Sequence, residues 1–309
     1  MLEFFLDLNL VHIVFDVCTG TGSSALLLPH LLDTVRKFGN YFKSVSCCQG
    51  NNPCHFCSNL TEFCPYRLVF SQSLSSDPDV VRRHQKPPLP FTFKINLADQ
   101  SDSCIEIAIV IAGNAIQHVS LFLRAIKLML YSVSEHMATD IAVAGTWCLD
   151  YQGVRHEFSE ASGQLLLLSG LEILQAPQHS DAVKIHLDSP LRLLCGGSVS
   201  HSFNFVDLLR SQLRRCSSLF AYYGEGELEL DFVYLSREAE KVTFLENDFS
   251  FMKPHWVQRK SMAGITGVGE FTGLADGMLP LLMLGSYFNA GKGAAYGMGV
   301  YRLEAILTG

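Results

Sequence analysis

Residues 104–151 read CIEIAIVIAGNAIQHVSLFLRAIKLMLYSVSEHMATDIAVAGTWCLDY. Cys104–Ala112 is rich in isoleucine and valine and carries one charge, the composition of a half-buried or buried strand. From Gln117 to Tyr131 the apolar residues Val119, Phe122, Leu123, Ile126 and Leu130 recur at helical spacing. Ala142–Tyr151 reads as a strand again. Upstream, Pro87-Pro88-Leu89-Pro90 sets off a strand at Phe91–Leu97, and residues 2–16 read as a first strand. Between them a helix is expected from Pro29 to about Phe38, because proline suits a first helical turn and Gly39 is a natural stop. The order is β, α, β, β, α, β. Downstream the order recurs: a strand at Ala182–Leu194, a helix at Phe203–Tyr223, a hairpin at His255–Phe271, a helix at Asp276–Phe288 and a strand at Tyr296–Ile306. Two such units of about 150 residues predict an α+β chain of tandem ferredoxin-like (RRM-like, βαββαβ) domains. The first would span residues 1–152 and the second 182–309, with 153–181 as linker.

Five of the ten cysteines fall in one stretch, SCCQGNNPCHFCSNLTEFC, inside a Cys-rich insertion at 46–66 of the first domain. Cys54-x-x-Cys57 forms a knuckle, with Cys47 and Cys64 on either side, and Gly50 to Pro53 supply a tight turn. Four thiolates at this spacing suit a closed tetrahedral ion, so a structural zinc is expected on Cys47, Cys54, Cys57 and Cys64, with Cys48 or His55 as substitutes. A redox pair or unliganded thiols is the competing reading. Cys18, Cys104, Cys148, Cys195 and Cys216 stand in apolar surroundings and read as small hydrophobes. Reduced thiols imply the cytoplasm.

The chain has 309 residues, a formal charge of −7, 48% hydrophobic and 17% charged residues. That composition excludes a disordered, highly solvated chain. No run reaches the roughly 18 uncharged apolar residues of a membrane span, so no membrane association is expected. An acidic total argues at first against nucleic-acid binding. Eight acidic residues between Glu225 and Asp248, against Arg237 and Lys241, leave that segment at −6 and the rest of the chain at −1. The acidity is therefore local, read here as an outward-facing or partner-facing strand pair, and a modest basic cleft for RNA remains open.

Gly291-Lys-Gly-Ala-Ala-Tyr-Gly-Met-Gly299 is the sharpest motif. Glycines let a backbone approach a ligand closely, and a lysine among them suits a phosphate chain. It lacks the Lys-Ser/Thr ending of a nucleotide P-loop and precedes a strand, which also excludes a dinucleotide fingerprint. The competing reading is a tight interstrand loop with an incidental lysine.

Trp256-Val-Gln-Arg-Lys-Ser261, Gly264-Ile-Thr-Gly-Val-Gly269, Leu279-Pro-Leu-Leu-Met-Leu-Gly285 and GKGAAYGMGVYRLE together resemble the C-terminal signature of the CRISPR RNA-processing endoribonucleases of the RAMP superfamily. Cys54-x-x-Cys57, Cys64-Pro-Tyr66, Phe70 and Pro87-Pro-Leu-Pro-Phe91 are similar to the N-terminal half of the cysteine-containing branch of the Cas-six type. The resemblance implies a glycine-rich loop on RNA and cleavage of precursor CRISPR RNA without a catalytic metal. The ribose 2′-hydroxyl attacks the adjacent phosphate, and the mature product stays bound. The partners implied are repeat RNA and other subunits of a CRISPR effector complex. Many members of the branch carry a histidine just before the glycine loop, where this chain has Asn289. That departure opens a second reading, an RNA-binding subunit that cleaves weakly or not at all.

The chemistry needs a base near neutrality and a cation near the phosphate oxygens. His30, at the start of the expected helix, is the first choice, since a helix N-terminus favours phosphate. Lys37 lies seven residues on and would share its face, and Tyr41 joins if the helix continues. His255 ranks second. For RNA contacts, the choices are Arg259, Lys260 and Lys292, then Arg210, Arg214 and Arg215, with Trp256 for stacking. Asn289, Gly291, Gly293, Gly297 and Gly299 complete the loop. Arg82-Arg83-His84-Gln-Lys86 is read as an RNA arm or a plain loop.

Overall fold

A computed structural model describes residues 7–20, 24–48, 54, 57, 64–84, 86–95, 104–159, 164–176, 180, 182–228, 230–253 and 262–306. The first sheet is built from β1 (Asn9–Thr19), β2 (Phe91–Ile95), β3 (Cys104–Ala112), β4 (Ile141–Leu149) and β5 (Arg155–Glu157). A short β6 (Leu168–Ser169) pairs with β1. Its path is β2-β3-β1-β4-β5, antiparallel throughout. Between β1 and β2 lie α1 (Ser24–Val35), α2 (Phe38–Ser46), α3 (Pro65–Phe70) and α4 (Pro78–Arg83), and α5 (Val119–Met137) joins β3 to β4. A short α6 (Gly170–Gln175) follows β6.

The second sheet runs β10-β11-β7-β12, from β7 (Ala182–Leu191), β10 (Thr243–Met252), β11 (Gly264–Thr272) and β12 (Tyr301–Ile306). A separate small hairpin pairs β8 (Leu194–Cys195) with β9 (Ser198–Val199). Helices α7 (Phe205–Tyr223), α8 (Phe232–Glu238) and α9 (Met278–Phe288) complete this half. In each half the first strand lies between the third and the fourth, and the second strand is at the edge. The expected βαββαβ order is thus present twice.

Burial explains why each half holds. In β1 the odd positions Val11, Ile13, Phe15 and Val17 face α1, α2 and α5 in one core, whereas Leu10 belongs to the other. An alternating strand presents one side chain per face, so a strand apolar on both sides is covered on both sides. Phe38 anchors the first core, 4.8 Å from Phe93 and 5.5 Å from Phe91 in edge-to-face contact. Each such fully buried ring contributes about 1.5–3 kcal/mol by removing apolar area from water. In the second half Leu208, Leu209 and Leu213 of α7 meet Leu281 and Leu282 of α9 over Val183 and Ile185 of β7.

Several boundaries differ from the sequence expectation. The first helix begins at Ser24, so Pro29 sits inside α1, and a turn at Arg36–Lys37 separates α1 from α2. Gly39 lies within α2 and lets the ring of Phe70 approach closely. Residues 153–181 carry β5, β6 and α6 and are not a bare linker. The acidic segment is no strand pair. It runs through α8 and a 3-10 turn at Ala239–Lys241 into β10, an exposed edge strand. The hairpin pairs β10 with β11 and so begins before His255, and residues 254–261 lie outside the described residues. Cys18 and Cys104, register partners on β1 and β3, form a disulfide, so these two are not free thiols. No helix among the described residues is long and apolar enough to cross a membrane.

His12 of β1 is buried, and its Nε2 has no partner among the described residues. Its ring meets Tyr287 edge-on at 5.8 Å, and Lys94 lies over the same Tyr287 ring at 5.4 Å. Burial, and then the Lys94 charge, hold His12 well below its ordinary value near 6.5. Burial also pushes Lys94 down to about 8. The folded state therefore keeps His12 neutral while the unfolded chain protonates it near its ordinary value. Stability is expected to fall as pH drops below about 6.5 towards the lower folded value. Thermal melts at pH 7.5 and 5.5 check this (both about a unit from 6.5), and His12→Gln should flatten the difference.

Candidate nucleic-acid interface

The glycine-rich loop joins α9 to β12 and docks on the free edge of β2. Phe93 forms an isolated parallel bridge with Tyr296, and its amide donates to the Ala295 carbonyl at 3.0 Å. An open sheet edge is thereby satisfied by the other half of the chain. The amides of Ala290, Gly291, Lys292, Tyr296, Gly297, Met298 and Gly299 all donate inside the fold. Gly291, Gly293, Gly297 and Gly299 have φ of 72°, 87°, 84° and 64°. At Gly291 a Cβ would lie 2.5 Å from the Arg192 carbonyl oxygen. These glycines thus serve the turn and its close packing, and most of the loop's N–H groups are unavailable to a phosphate. Lys292 is the exposed side chain of the loop.

Asn289 is no RNA contact. It is fully buried, with φ 56°, and its Nδ2 donates to the carbonyls of Phe93 (2.9 Å) and Ala294 (3.0 Å). Its own carbonyl accepts from Gln212 Nε2 at 3.0 Å. The side chain thus locks the loop to β2. Asn289→Ala leaves two buried carbonyls short of a donor and should cost about 2–4 kcal/mol, read by denaturant unfolding.

The arginine stripe of α7 divides into three roles. Arg210 pairs with Glu240 at 3.3 Å. Arg214 is exposed. Arg215 is turned into the seam, where Nε donates to the Phe288 carbonyl (2.8 Å) and Nη2 to Thr92 Oγ1 (3.1 Å). Burial pushes its guanidinium down to about 10. Arg215 fastens the two halves and is not a backbone-tracking cation. Trp256, Arg259 and Lys260 lie outside the described residues, as does His255.

Two cations that sequence reading passed over meet beside the loop. Arg36, in the turn between α1 and α2, donates to Met262 Sδ at 3.4 Å. Arg192, just past β7, forms an isolated bridge with Gly291, and its carbonyl accepts the Lys292 amide at 2.9 Å. Burial lowers the Arg192 guanidinium, and the like charge of Arg36 lowers it further. Arg36 also opposes the rise that burial gives the Tyr296 phenol. Two guanidiniums gathered beside a lysine-bearing loop form a local field that suits a polyanion. Positions 36, 192 and 292 are too far apart in the chain for any spacing rule to join them.

His30 is exposed in the middle of α1, so the helix-start argument for it does not apply. Its ring lies 5.2 Å from that of His136, in the last turn of α5. The sequence reading gave His136 no role, and only the packing of α1 on α5 reveals the pair. Lys37 falls after the break, pairs with Asp33 at 3.0 Å, and does not continue the His30 face of one helix. Tyr41 is in α2 and donates to Ser132 Oγ at 3.1 Å.

The expected zinc site is not supported among the described residues. Cys47 caps the end of α2 and Cys64 the start of α3, while the Cys57 amide donates to the Cys54 carbonyl at 3.1 Å. Among the described residues no three His, Cys, Asp or Glu side chains gather to hold a metal ion. Tetrahedral zinc needs four donors converging within about 2.3 Å of one point, and spacing along the chain does not provide that convergence. Of the two substitutes, Cys48 is exposed and His55 lies outside the described residues.

Residues 185–301 match the family model described as CRISPR-associated endoribonuclease Cas6, and residues 25–134 match a model described as an N-terminal domain. No curated protein matches the chain by sequence. Among solved structures, Thermus thermophilus Cas6 is similar at 12% identity with a TM-score of 0.55, over 96% of this chain and 99% of that one. A Cas6 product complex matches at 13% identity and 0.55, also over 96% and 99%. A partial Cas6-RT-Cas1–Cas2 complex matches at 12% and 0.56, over 97% of this chain and 46% of that one. At these identities the likeness concerns the fold alone. Residues 185–301 are thus similar to the CRISPR-associated Cas6 family, and the fold is shared with Cas6 structures along 96% of the chain.

Proposed function

We propose that the protein is an endoribonuclease that cleaves precursor CRISPR RNA within its repeats, without a catalytic metal, and retains the mature product. The Cas6 match over residues 185–301, which contains the whole glycine loop, carries this reading. The two halves are read as ferredoxin-like domains, over 1–152 and 182–309, on the shared βαββαβ strand order. Cas6 proteins of like fold are known as product and substrate-mimic complexes, and one as part of a Cas6-RT-Cas1–Cas2 complex. Repeat RNA, and other CRISPR proteins, are the corresponding partners here.

Cleavage by a 2′-hydroxyl needs one group to take its proton, another to protonate the leaving 5′-oxygen, and a cation for the phosphorane charge. His30 is assigned the base. His136, whose ring centroid lies 5.2 Å away, can supply the acid. Arg36, in the turn that follows α1, provides the cations with Arg192 and Lys292. Lys37 and Tyr41 keep a supporting place nearby. The products are a 2′,3′-cyclic phosphate and a 5′-hydroxyl.

A second reading, binding with little cleavage, draws on Asn289: the position where the branch often has a histidine is here buried and structural. Incubation of the purified protein with a repeat RNA in excess chelator separates the two. A cyclic-phosphate product supports the endoribonuclease, binding without cleavage supports the second reading, and absence of binding sinks both.

A further inference from the structure

A cavity of about 620 Å³ opens on the seam between the two halves, away from His30. One wall is the segment after α4 that carries the basic run Arg83 to Lys86, and the other is α7. That segment is not a loose arm. Tyr222 and Tyr223, at the end of α7, donate to the carbonyls of His84 and Pro88, each at 2.8 Å, and Gln72 Nε2 donates to the Pro87 carbonyl at 2.6 Å. Three backbone carbonyls, those of His84, Pro87 and Pro88, are thus pinned beside the opening, which makes the cavity a built feature of the fold.

Its lining is chemically one-sided. Arg83, Lys86, Arg214 and Arg215 supply four cations, and Glu227 is the acid among the lining residues. Glu227 is already paired with Arg83 at 2.5 Å. Lys86 and Arg214 are exposed and take no ion pair among the described residues. Ser218 lines the same space, is 6% exposed, and its Oγ has no partner among the described residues. A buried hydroxyl without a partner costs about 1–3 kcal/mol, which a ligand oxygen would relieve. Pro88, Leu228 and Phe232 give an apolar side for a sugar or base. The volume lies in the range of small-ligand sites, about 300–1,000 Å³. Gly291, the neighbour of Lys292, borders the cavity as well.

We infer that this seam cavity is a nucleotide subsite, which holds one phosphorylated nucleoside unit of the RNA strand between the basic segment after α4 and helix α7. The phosphate would sit between Lys86 and Arg214, the apolar side would take the sugar and base, and Ser218 would hydrogen-bond the unit. The source of that nucleotide, an RNA strand, rests on the proposed function; the phosphate-and-nucleoside chemistry of the cavity does not.

The test uses the full chain and the double variant Lys86→Ala, Arg214→Ala, with both residues exposed and the fold checked by melting. Adenosine 5′-monophosphate is titrated by ligand-observed NMR, with inorganic phosphate as comparison. Repeat RNA affinity is measured over a salt series. The expected result is adenosine monophosphate binding to the wild type that weakens at least about ten-fold in the double variant. RNA affinity should weaken with it, and the salt slope should fall by about two. No adenosine monophosphate binding to the wild type overturns the inference, as does phosphate binding of equal strength. Nucleotide binding lost in the variant with RNA affinity unchanged overturns the assignment to the RNA strand. If the wild type binds no repeat RNA, the proposed function fails, and the adenosine monophosphate titration still decides the cavity. Ser218→Ala provides a second variant with no change in charge: weaker nucleotide binding at an unchanged salt slope is expected, and unaltered nucleotide binding removes Ser218 from the subsite.

Discussion

His30→Ala is expected to slow repeat-RNA cleavage by about 10²–10⁴-fold, the usual worth of one general base, with binding of the uncleaved RNA retained. The variant should fold. The side chain is exposed on α1, and alanine is the better helix former. The measurement is single-turnover cleavage with protein in excess, which separates the chemical step from product release. His136→Ala should also slow the reaction. If the two rings act as one unit, the double variant should be little slower than the worse single variant, since residues of one catalytic unit are not additive. Full activity of His30→Ala eliminates the assignment and directs attention to the cations beside the glycine loop.

Gly299→Ala should be the most damaging single methyl group in the glycine loop. Its φ is 64°, and the added Cβ would lie 2.1 Å from the Ala290 carbonyl oxygen. The same backbone is held on both sides: the Ala290 amide donates to the Gly299 carbonyl at 2.9 Å, and the Gly299 amide donates to the Pro190 carbonyl at 3.1 Å. Neither side can yield without losing a bond that ties α9, β7 and β12 together. A cost above about 3 kcal/mol is expected, because strain at a positive φ adds to the clash. For a chain of this size that lowers Tm by more than about 6 °C. Lys292→Ala, one exposed side chain in the same loop, should stay within about 0.5 kcal/mol of wild type and weaken RNA binding instead. Equal melting of wild type and Gly299→Ala would show that the loop's glycines serve a ligand and not the turn.

The contrast between these two loop residues shows where sequence reading succeeds. Cys104–Ala112 was legible to the residue as β3, the strand at Ile141–Leu149 to within two residues, and the helix at its start, though it runs six residues past Tyr131, because buried strands and amphipathic helices advertise their period. The start of α1 was not. A proline in a helix removes one backbone donor, so Pro29 reads as a first-turn residue, yet packing on α5 and β3 carries the helix through it. That five-residue shift removed the electrostatic argument for His30 and supplied His136 in its place. The expected zinc site finds no support among the described residues for a related reason: spacing permits a metal site, and only convergence of the donors makes one. Arg215 and Asn289 look like RNA ligands by residue type, and became structural because the other half of the chain covers them.

The sequence by itself determined the two βαββαβ runs, the glycine loop before the last strand, and the Cas6 likeness of residues 185–301, because these depend on local periodicity and on motifs contiguous in the chain. The tertiary structure decided which polar residues remain available to a ligand. Arg36, Arg192 and Lys292 gather, as do His30 with His136 and Lys86 with Arg214, only where elements far apart in the chain pack together. Burial and charge at a site are sums over neighbours in space, and a linear sequence does not state who those neighbours are.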